Sequence, residues 1–265
     1  MPQRRGKAGG GYGQVKLFDL VGYLDDTLAV SDFADDASAN GLQFEGSGVV
    51  RKVAVAVDAC QSVIDRAAGD EAADFLLVHH GLIWGGLRSI TGGLKNKFSS
   101  LLRHNTSLYA CHLPLDAHPD FGNNARILKA LSVKRYAPFG TYHGKKIGFQ
   151  GVLSKAASLD AFVEKLDRIT GGGSKVVAFG GKVKHIAVVS GGGAGCISEI
   201  ERSLVDTYIT GEPSHAAFLQ AEEMGKNIVF AGHYATETFG VRAVGDLLAG
   251  KFGLDVVFIE HPTGF

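Results

Sequence analysis

The segment "KVAVAVDACQSVIDRAAGDEAADFLLVHH", residues 52–80, has the order strand, helix, strand. Its first and last parts are continuous apolar runs rich in β-branched residues, which is typical of strands buried on both faces of a sheet. The part between them reads as a helix. Alternating strands and helices of this kind predict α/β layers with substantially parallel strand pairing.

A second segment, "HIAVVSGGGAGCISEIERSLVDTYITGE" at 185–212, repeats this order in the second half of the chain. Asp206 aligns with Asp74 at an offset of 132, and His233 aligns with His112 at an offset of 121. Both halves then close with a helix followed by a strand. The pattern predicts an α/β fold of two similar halves from an internal duplication, with mixed sheets flanked by helices. Residue identity between the halves is low, so a chance match is the alternative.

The domain boundaries follow from this repeat. Residues 1–15 are Gly-rich, carry the basic run "QRRGK" and are expected to form a disordered tail. The first α/β half is expected at 16–139 and the second at 140–265, with 140–182 different in texture and a candidate sub-segment. No apolar run approaches the roughly 18 residues of a membrane span.

Capping residues and a Gly-rich turn predict where three of the helices begin. An asparagine cap is expected to begin the helix "NNARILKAL" at Asn123, and Ser158 is expected to cap the helix "SLDAFVEKLDRI". A further helix is expected to open from the Gly-rich turn at 190–195. This turn, "SGGGAG", either packs tightly or touches a substrate phosphate, and it does not match a phosphate-loop motif.

Charge and cysteine content exclude some functional classes. The chain has 265 residues, with 27 Lys plus Arg against 27 Asp plus Glu. A zero net charge disfavours nucleic acid or an anionic membrane as the main partner. Three separated cysteines without a C-x-x-C pair favour a reducing compartment, so a cytoplasmic protein is expected.

Three predicted strand ends carry imidazole and carboxylate side chains. In α/β sheets, ligands collect at the carboxyl ends of strands, and this donor set suits zinc, manganese, iron or nickel. A single buried histidine is more often a hydrogen-bonded core residue, and an aspartate after proline can form a local turn. Three such ends together favour a metal site between the two halves. The residues are His79 and His80, His112 and Asp116, and His233 and Glu237.

Six motifs in this order resemble one known family. They are "NGLQFEG" (40–46), "VHHGLIW" (78–84), "HLPLDAHPDFGNNARIL" (112–128), "SGGGAG" (190–195), "TGEPSHAAFLQAEEMG" (210–225) and "AGHYATE" (231–237). The chain resembles the NIF-three-like family, whose dinuclear-metal group is often labelled GTP cyclohydrolase I type 2-like. The resemblance runs from about residue 17 to 263, nearly the whole chain, and its length is similar to that of the compact bacterial form.

The resemblance implies a centre of two divalent metal ions and leaves their identity open among the zinc, manganese, iron or nickel that the donor set suits. It also implies a homohexameric ring with the metal sites facing an inner cavity. Glu237 would bridge the ions and is the candidate catalytic residue, and His112 would lie behind the ligands or bind occasionally. The implied metal ligands are His79, His80, Asp116, His233 and Glu237.

The resemblance also explains why two histidines are adjacent. Neighbouring side chains on a strand point to opposite faces. If the strand has ended before them, both rings can turn toward two metals roughly 3.5–4 Å apart. We therefore expect His79 and His80 to serve different ions of one pair.

Two functions remain open at this point. The first is a metal-dependent hydrolase acting on a nucleotide or a phosphodiester. The alternative is a non-catalytic, metal-binding and ring-forming interaction protein whose metals stabilise the fold.

Overall fold

The computed structural model describes residues 13–86 and 88–265, which form two mixed sheets flanked by helices and a short two-stranded antiparallel sheet. Short 3-10 helices lie at Val30–Phe33 and Gly193–Ile200. The helices are α1 Leu17–Thr27, α2 Gln61–Asp65 (continued by one π turn, Arg66–Asp70), α3 Gly92–His104, α4 Leu113–Ala117, α5 Asn123–Ala130, α6 Leu159–Thr170, α7 His215–Met224 and α8 His233–Phe252. The strands are β1 Val15–Lys16, β2 Gly41–Phe44, β3 Val49–Val50, β4 Lys52–Asp58, β5 Phe75–His80, β6 Ser107–Ala110, β7 Tyr136–Tyr142, β8 Lys145–Ala157, β9 Lys175–Val177, β10 Val183–Val189, β11 Thr207–Thr210, β12 Asn227–Phe230 and β13 Asp255–Phe258.

The first sheet has the strand order β13-β4-β5-β6-β2. Strands β4, β5 and β6 run parallel, β13 adds parallel to β4, and β2 closes the other edge antiparallel. Successive residues of β4 face opposite layers: Val53 and Val55 pack with α1 and α8, whereas Ala54 and Ala56 pack with α2 and α3. Both faces are buried, as the continuous apolar run predicts.

The second sheet has the order β7-β8-β10-β11-β12-β9. Its three central strands, β10, β11 and β12, run parallel, and the others pair antiparallel. Ile186 and Val188 pack with α5 and α6, whereas Ala187 and Val189 pack with α7 and the 3-10 helix Gly193–Ile200. The predicted fold class, α/β with mixed sheets flanked by helices, is confirmed.

Each half of the sequence contributes a strand to the sheet that the other half mainly forms. Strand β7 spans the expected boundary at 139 and pairs in the second sheet, although β2, β4, β5 and β6 before it lie in the first. In return, the last strand, β13, pairs with β4 in the first sheet. Helix α8 follows β12 of the second sheet but packs on β4 of the first. Sheet membership therefore does not follow a division between 16–139 and 140–265.

Two of the helix predictions are wrong in detail. Gly122 is the N-cap of α5, because the Asn123 side chain donates to the Asp116 carboxylate at 2.9 Å instead of capping. The Gly-rich turn opens a 3-10 helix, Gly193–Ile200, rather than an α-helix, since glycines are poor helix formers. The Ser158 cap is confirmed, because its hydroxyl accepts from the Ala161 amide at 3.3 Å.

The start of the chain differs from the predicted tail. Residues 1–12 of the expected disordered segment lie outside the described residues. The Gly13 amide donates to the Gly253 carbonyl at 2.8 Å, and Val15 pairs with Val50 in a short antiparallel ladder. Residues 13–15 therefore belong to the folded part. Within 13–86 and 88–265, no helix has the length and apolar character needed to cross a membrane.

Candidate metal centre

The structure brings the six histidine and carboxylate residues of the three predicted strand ends together. His79 and His80 are the last residues of β5. Asp116 lies on the short helix α4 that follows β6, and His233 and Glu237 occupy the first turn of α8. His112 directly precedes α4. Because α8 passes from the second sheet to the first, the cluster lies where the two sheets meet. The role of these residues as ligands stays a prediction.

The two adjacent histidines adopt an arrangement that the sequence did not predict. Strand β5 runs through His80, so the expected end of the strand before His79 is wrong. The rings nonetheless lie with their centroids 4.6 Å apart. The His79 ring is fully buried and its Nδ1 lies 2.9 Å from the Cys111 carbonyl, whereas His80 Nδ1 lies 2.8 Å from Asp58. Both rings therefore direct Nε2 toward Glu237.

Glu237 stands at the centre of the cluster. Its Oε1 lies 3.5 Å from His79 Nε2, and its Oε2 lies 3.4 Å from His80 Nε2 and 3.2 Å from His233 Nε2. Asp116 Oδ2 lies 3.5 Å from His79 Nε2. Most of these separations exceed the roughly 2.7–3.2 Å of N–H···O bonds. Two ligands about 2.0–2.2 Å from one tetrahedral ion lie roughly 3.4 Å apart, so the spacing fits shared metal ions.

Two buried atoms give an independent test of this fit. His79 Nε2 and Glu237 Oε2 are buried and have no hydrogen-bond partner among the described residues. A buried polar atom without a partner costs on the order of 1–3 kcal/mol. Two groups could hold an ion, one formed by His79, His80 and His112 and the other by His80, His233 and Glu237. Within each group the ligand atoms lie within 4.8 Å of one another. The residues present therefore fit a metal site, and the two groups share His80.

His112 lies closer to the cluster than the resemblance implies. Its ring centroid is 5.1 Å from that of His79 and 5.6 Å from that of His80. The Trp84 ring packs against its other side at 5.0 Å. His112 forms one of the two groups that could hold an ion, together with His79 and His80.

The sequence analysis did not identify three carboxylates that contact the clustered histidines. Each accepts at Nδ1 of one ring and thereby leaves Nε2 to face the centre, as outer carboxylates of metal sites usually do. Asp58 and Glu212 lie at the ends of β4 and β11, so a search of every strand end could have found them. The pairs are Asp36 with His112 at 3.0 Å, Asp58 with His80 at 2.8 Å and Glu212 with His233 at 2.5 Å.

Asp116 is held by neutral donors rather than by a local turn. Its Oδ1 accepts from Asn123 Nδ2 and from Ser190 Oγ, each at 2.9 Å. Asn123 and Ser190 are buried, and Asn123 also accepts from the Gly240 amide at 2.7 Å. Both donors bind the same oxygen, so Oδ2 stays directed at His79.

The Gly-rich turn packs against the Glu237 carboxylate. Gly191 has φ +57, and a Cβ there would lie 2.0 Å from Glu237 Oε1. Its amide donates to Thr236 Oγ1 at 3.0 Å, which fixes the turn on the first turn of α8. At Gly191, close packing is therefore the observed role of the turn.

A cavity of about 450 Å³ opens beside the cluster. His80, His112 and His233 reach its surface, together with Asp116 and Glu237. A ligand in the cavity would therefore contact the histidines and carboxylates directly.

The carboxylates control the charge of the histidines. Burial opposes the protonated form of His79, but the negative charges of Asp116 and Glu237 outweigh it and raise its pKa to about 10. The contact with Glu237 raises the pKa of His233 to about 9. Burial alone would raise the pKa of Glu237, yet His79 and His233 hold it well below its ordinary value. Without metal, positive charge on the rings therefore offsets the buried carboxylates.

These pKa shifts predict how pH affects the metal-free protein. The ordinary histidine pKa is about 6.5, and both folded values are higher, so ring protonation stabilises the fold below about pH 6.5. This contribution is lost as the pH rises through about 9 and 10. Ligating rings are neutral, so the metal-loaded protein should lack this loss. Urea unfolding across this range, with and without manganese, measures it; parallel profiles for the two forms would contradict the prediction.

Comparison with known proteins identifies relatives along nearly the whole chain. A model of the Duf34/NIF3 (NGG1p interacting factor 3) family matches residues 15–264. A protein of Archaeoglobus fulgidus named GTP cyclohydrolase 1 type 2 homolog is 45% identical over 250 residues, which are 94% of this chain and 99% of the relative. A protein of the same name from Pyrococcus horikoshii is 44% identical over 248 residues, 93% of this chain and 98% of the relative.

Solved structures agree with these relatives. The crystal structure of TTHA1606 from Thermus thermophilus superposes with a TM-score of 0.88 at 39% identity, covering 95% of this chain and all of that one. The resemblance found in the sequence is thereby confirmed. The chain belongs to the Duf34/NIF3 (NGG1p interacting factor 3) family.

Proposed function

We propose that the chain binds two divalent metal ions and is a metal-dependent hydrolase that acts on a nucleotide or a phosphodiester. The observation that carries the proposal is the pair of buried, unpartnered atoms, His79 Nε2 and Glu237 Oε2, beside an open cavity. The proposed ligands are His79, His80, Asp116, His233 and Glu237, with His112 as a further ligand.

The positions of the side chains suggest a role for each of the proposed ligands and their partners. Glu237 would bridge, because Oε1 faces His79 whereas Oε2 faces His80 and His233. Two divalent ions would polarise a phosphoryl or carbonyl oxygen and lower the pKa of a water molecule. The outer carboxylates Asp36 and Asp58 hold their rings in place while substrate exchanges.

The cavity favours catalysis over a purely structural role. Structural metal sites are closed by protein ligands, whereas catalytic sites keep an open position. Here, His112, His233 and Glu237 line a space large enough for a small substrate. The name of the relatives, GTP cyclohydrolase 1 type 2 homolog, is consistent with a hydrolytic reaction.

Hydrolysis of model substrates tests the proposal. Protein loaded with manganese, zinc, iron or nickel is assayed on bis(4-nitrophenyl) phosphate and on nucleotides. We expect turnover that chelator abolishes and added metal restores. A fully metal-loaded protein without turnover on any of these substrates would instead support the non-catalytic interaction protein.

We further propose that the chain forms a homohexamer, in keeping with the family resemblance. Multi-angle light scattering should then give six times the chain mass of 27.9 kDa. A mass of one chain across working concentrations would refute this assembly.

A further inference from the structure

Apart from the histidines and carboxylates of the cluster, the residues that line the cavity are uncharged. Among the described residues that line it there is no lysine or arginine. The hydroxyl of Ser190 is already bound to Asp116. Side chains of low polarity form much of the remaining wall. They are Leu113, Tyr142, Ile147 and Cys196.

The lysines of the neighbouring β7–β8 hairpin are engaged elsewhere. Lys146 Nζ lies 2.7 Å from Glu199 Oε2 and donates to Thr141 Oγ1 at 2.6 Å. Lys145 lies over the Phe33 ring, 5.4 Å from its centroid. These side chains therefore supply little positive charge to balance an anion bound in the cavity.

The cluster itself is rich in negative charge. Five carboxylates, Asp36, Asp58, Asp116, Glu212 and Glu237, lie within 3.5 Å of a ring nitrogen of the clustered histidines. Against these five, two divalent ions bring four positive charges, so the loaded site keeps one negative charge. Such a site gains nothing from a highly anionic ligand beyond direct coordination.

We propose that the substrate brings at most one negative charge to this centre and places an uncharged, largely apolar body in the cavity. This inference rests on the proposed function and narrows it to phosphodiester-like substrates rather than nucleoside triphosphates. Sites for triphosphates usually add lysine or arginine for the outer phosphates, and here neither is among the described residues that line the cavity.

A series with one nucleoside and increasing charge tests the proposal. Manganese-loaded protein is titrated by calorimetry with cyclic GMP, GMP and the non-hydrolysable triphosphate GMPPNP, which carry about one, two and four negative charges. Affinity is expected not to increase along the series. A tenfold or greater gain from GMP to GMPPNP, for example through the backbone of the Gly-rich turn, would overturn the proposal. Failure of all three to bind would do the same.

A charge-removing variant sharpens the test. Glu212→Gln keeps an oxygen that can accept from His233 but removes one negative charge near the centre. Removing this charge reduces the repulsion felt by the dianion GMP about twice as much as that felt by the monoanion cyclic GMP. The affinity of GMP should therefore improve relative to that of cyclic GMP by roughly three- to tenfold. Glu164→Gln on the exposed face of α6 is the matched control and should leave the ratio unchanged. An unchanged ratio in Glu212→Gln would contradict the proposal.

The two proposals fail in different ways. Tight binding and turnover of a triphosphate would leave the hydrolase intact and overturn the charge preference. The expected binding order without turnover of any diester would refute the hydrolase and leave the charge preference standing.

Discussion

Replacing Glu237 by Gln is expected to remove at least one metal ion from each chain. Its carboxylate is buried and lies within 3.5 Å of Nε2 of three histidines, His79, His80 and His233. Gln keeps the size but loses the charge that offsets two dications. Two such ions roughly 3.5–4 Å apart repel by on the order of 10 kcal/mol or more at an effective dielectric constant of 20. Elemental analysis of the purified variant measures the loss.

The same variant separates catalysis from structural support. If the protein is a hydrolase, activity should fall by orders of magnitude while the melting temperature of the loaded protein and the oligomer change little. If the metals are structural, the melting temperature and the oligomer should fail together. Glu164→Gln removes an exposed carboxylate far from the cluster and serves as control. Full metal content with wild-type stability would show that Glu237 does not bridge.

Gly191→Ala should damage the site without changing any candidate ligand. The added Cβ would lie 2.0 Å from Glu237 Oε1 and 3.1 Å from His233 Nε2, so the Glu237 carboxylate must move. The left-handed backbone at φ +57 adds about 1–2 kcal/mol of strain for a residue with a Cβ. We expect loss of at least one metal and a lower free energy of unfolding, measured by elemental analysis and urea titration.

Gly192→Ala provides a matched control in the neighbouring position. Its backbone has φ −77, and the nearest atom to a new Cβ is Glu212 Oε2 at 3.9 Å, an ordinary contact. This variant should keep both metals and most of the stability. Equal metal content in the two variants would show that the turn does not position Glu237.

Local sequence pattern was sufficient for the main buried strands and for grouping the ligand candidates. The apolar runs of β4 and β5 predict buried strands, and His233 and Glu237, four residues apart, share one face of α8 as expected. Pairing between distant strands was not predictable in the same way. Nothing local to residues 255–258 indicates that they pair with β4 rather than with the second sheet.

The supporting residues of the site were the part that sequence reasoning missed. Asp36 is 76 residues from His112, and nothing in its loop distinguishes it from a surface aspartate. Asn123 looked like a helix cap because asparagine favours that position, yet its amide is used to orient Asp116. The importance of Gly191 depends on a close approach to Glu237, which only the fold reveals.

The metal content of the wild-type chain tests the central claim most directly. Protein is purified without chelator, loaded with manganese, passed through a desalting column and analysed for metal and protein. We predict about two ions per chain, because Glu237 Oε1 faces His79 whereas Oε2 faces His80 and His233, so its two oxygens can each serve a different ion. No bound ion after loading with manganese, zinc, iron or nickel would contradict the metal centre, and a single ion per chain would contradict its dinuclear form.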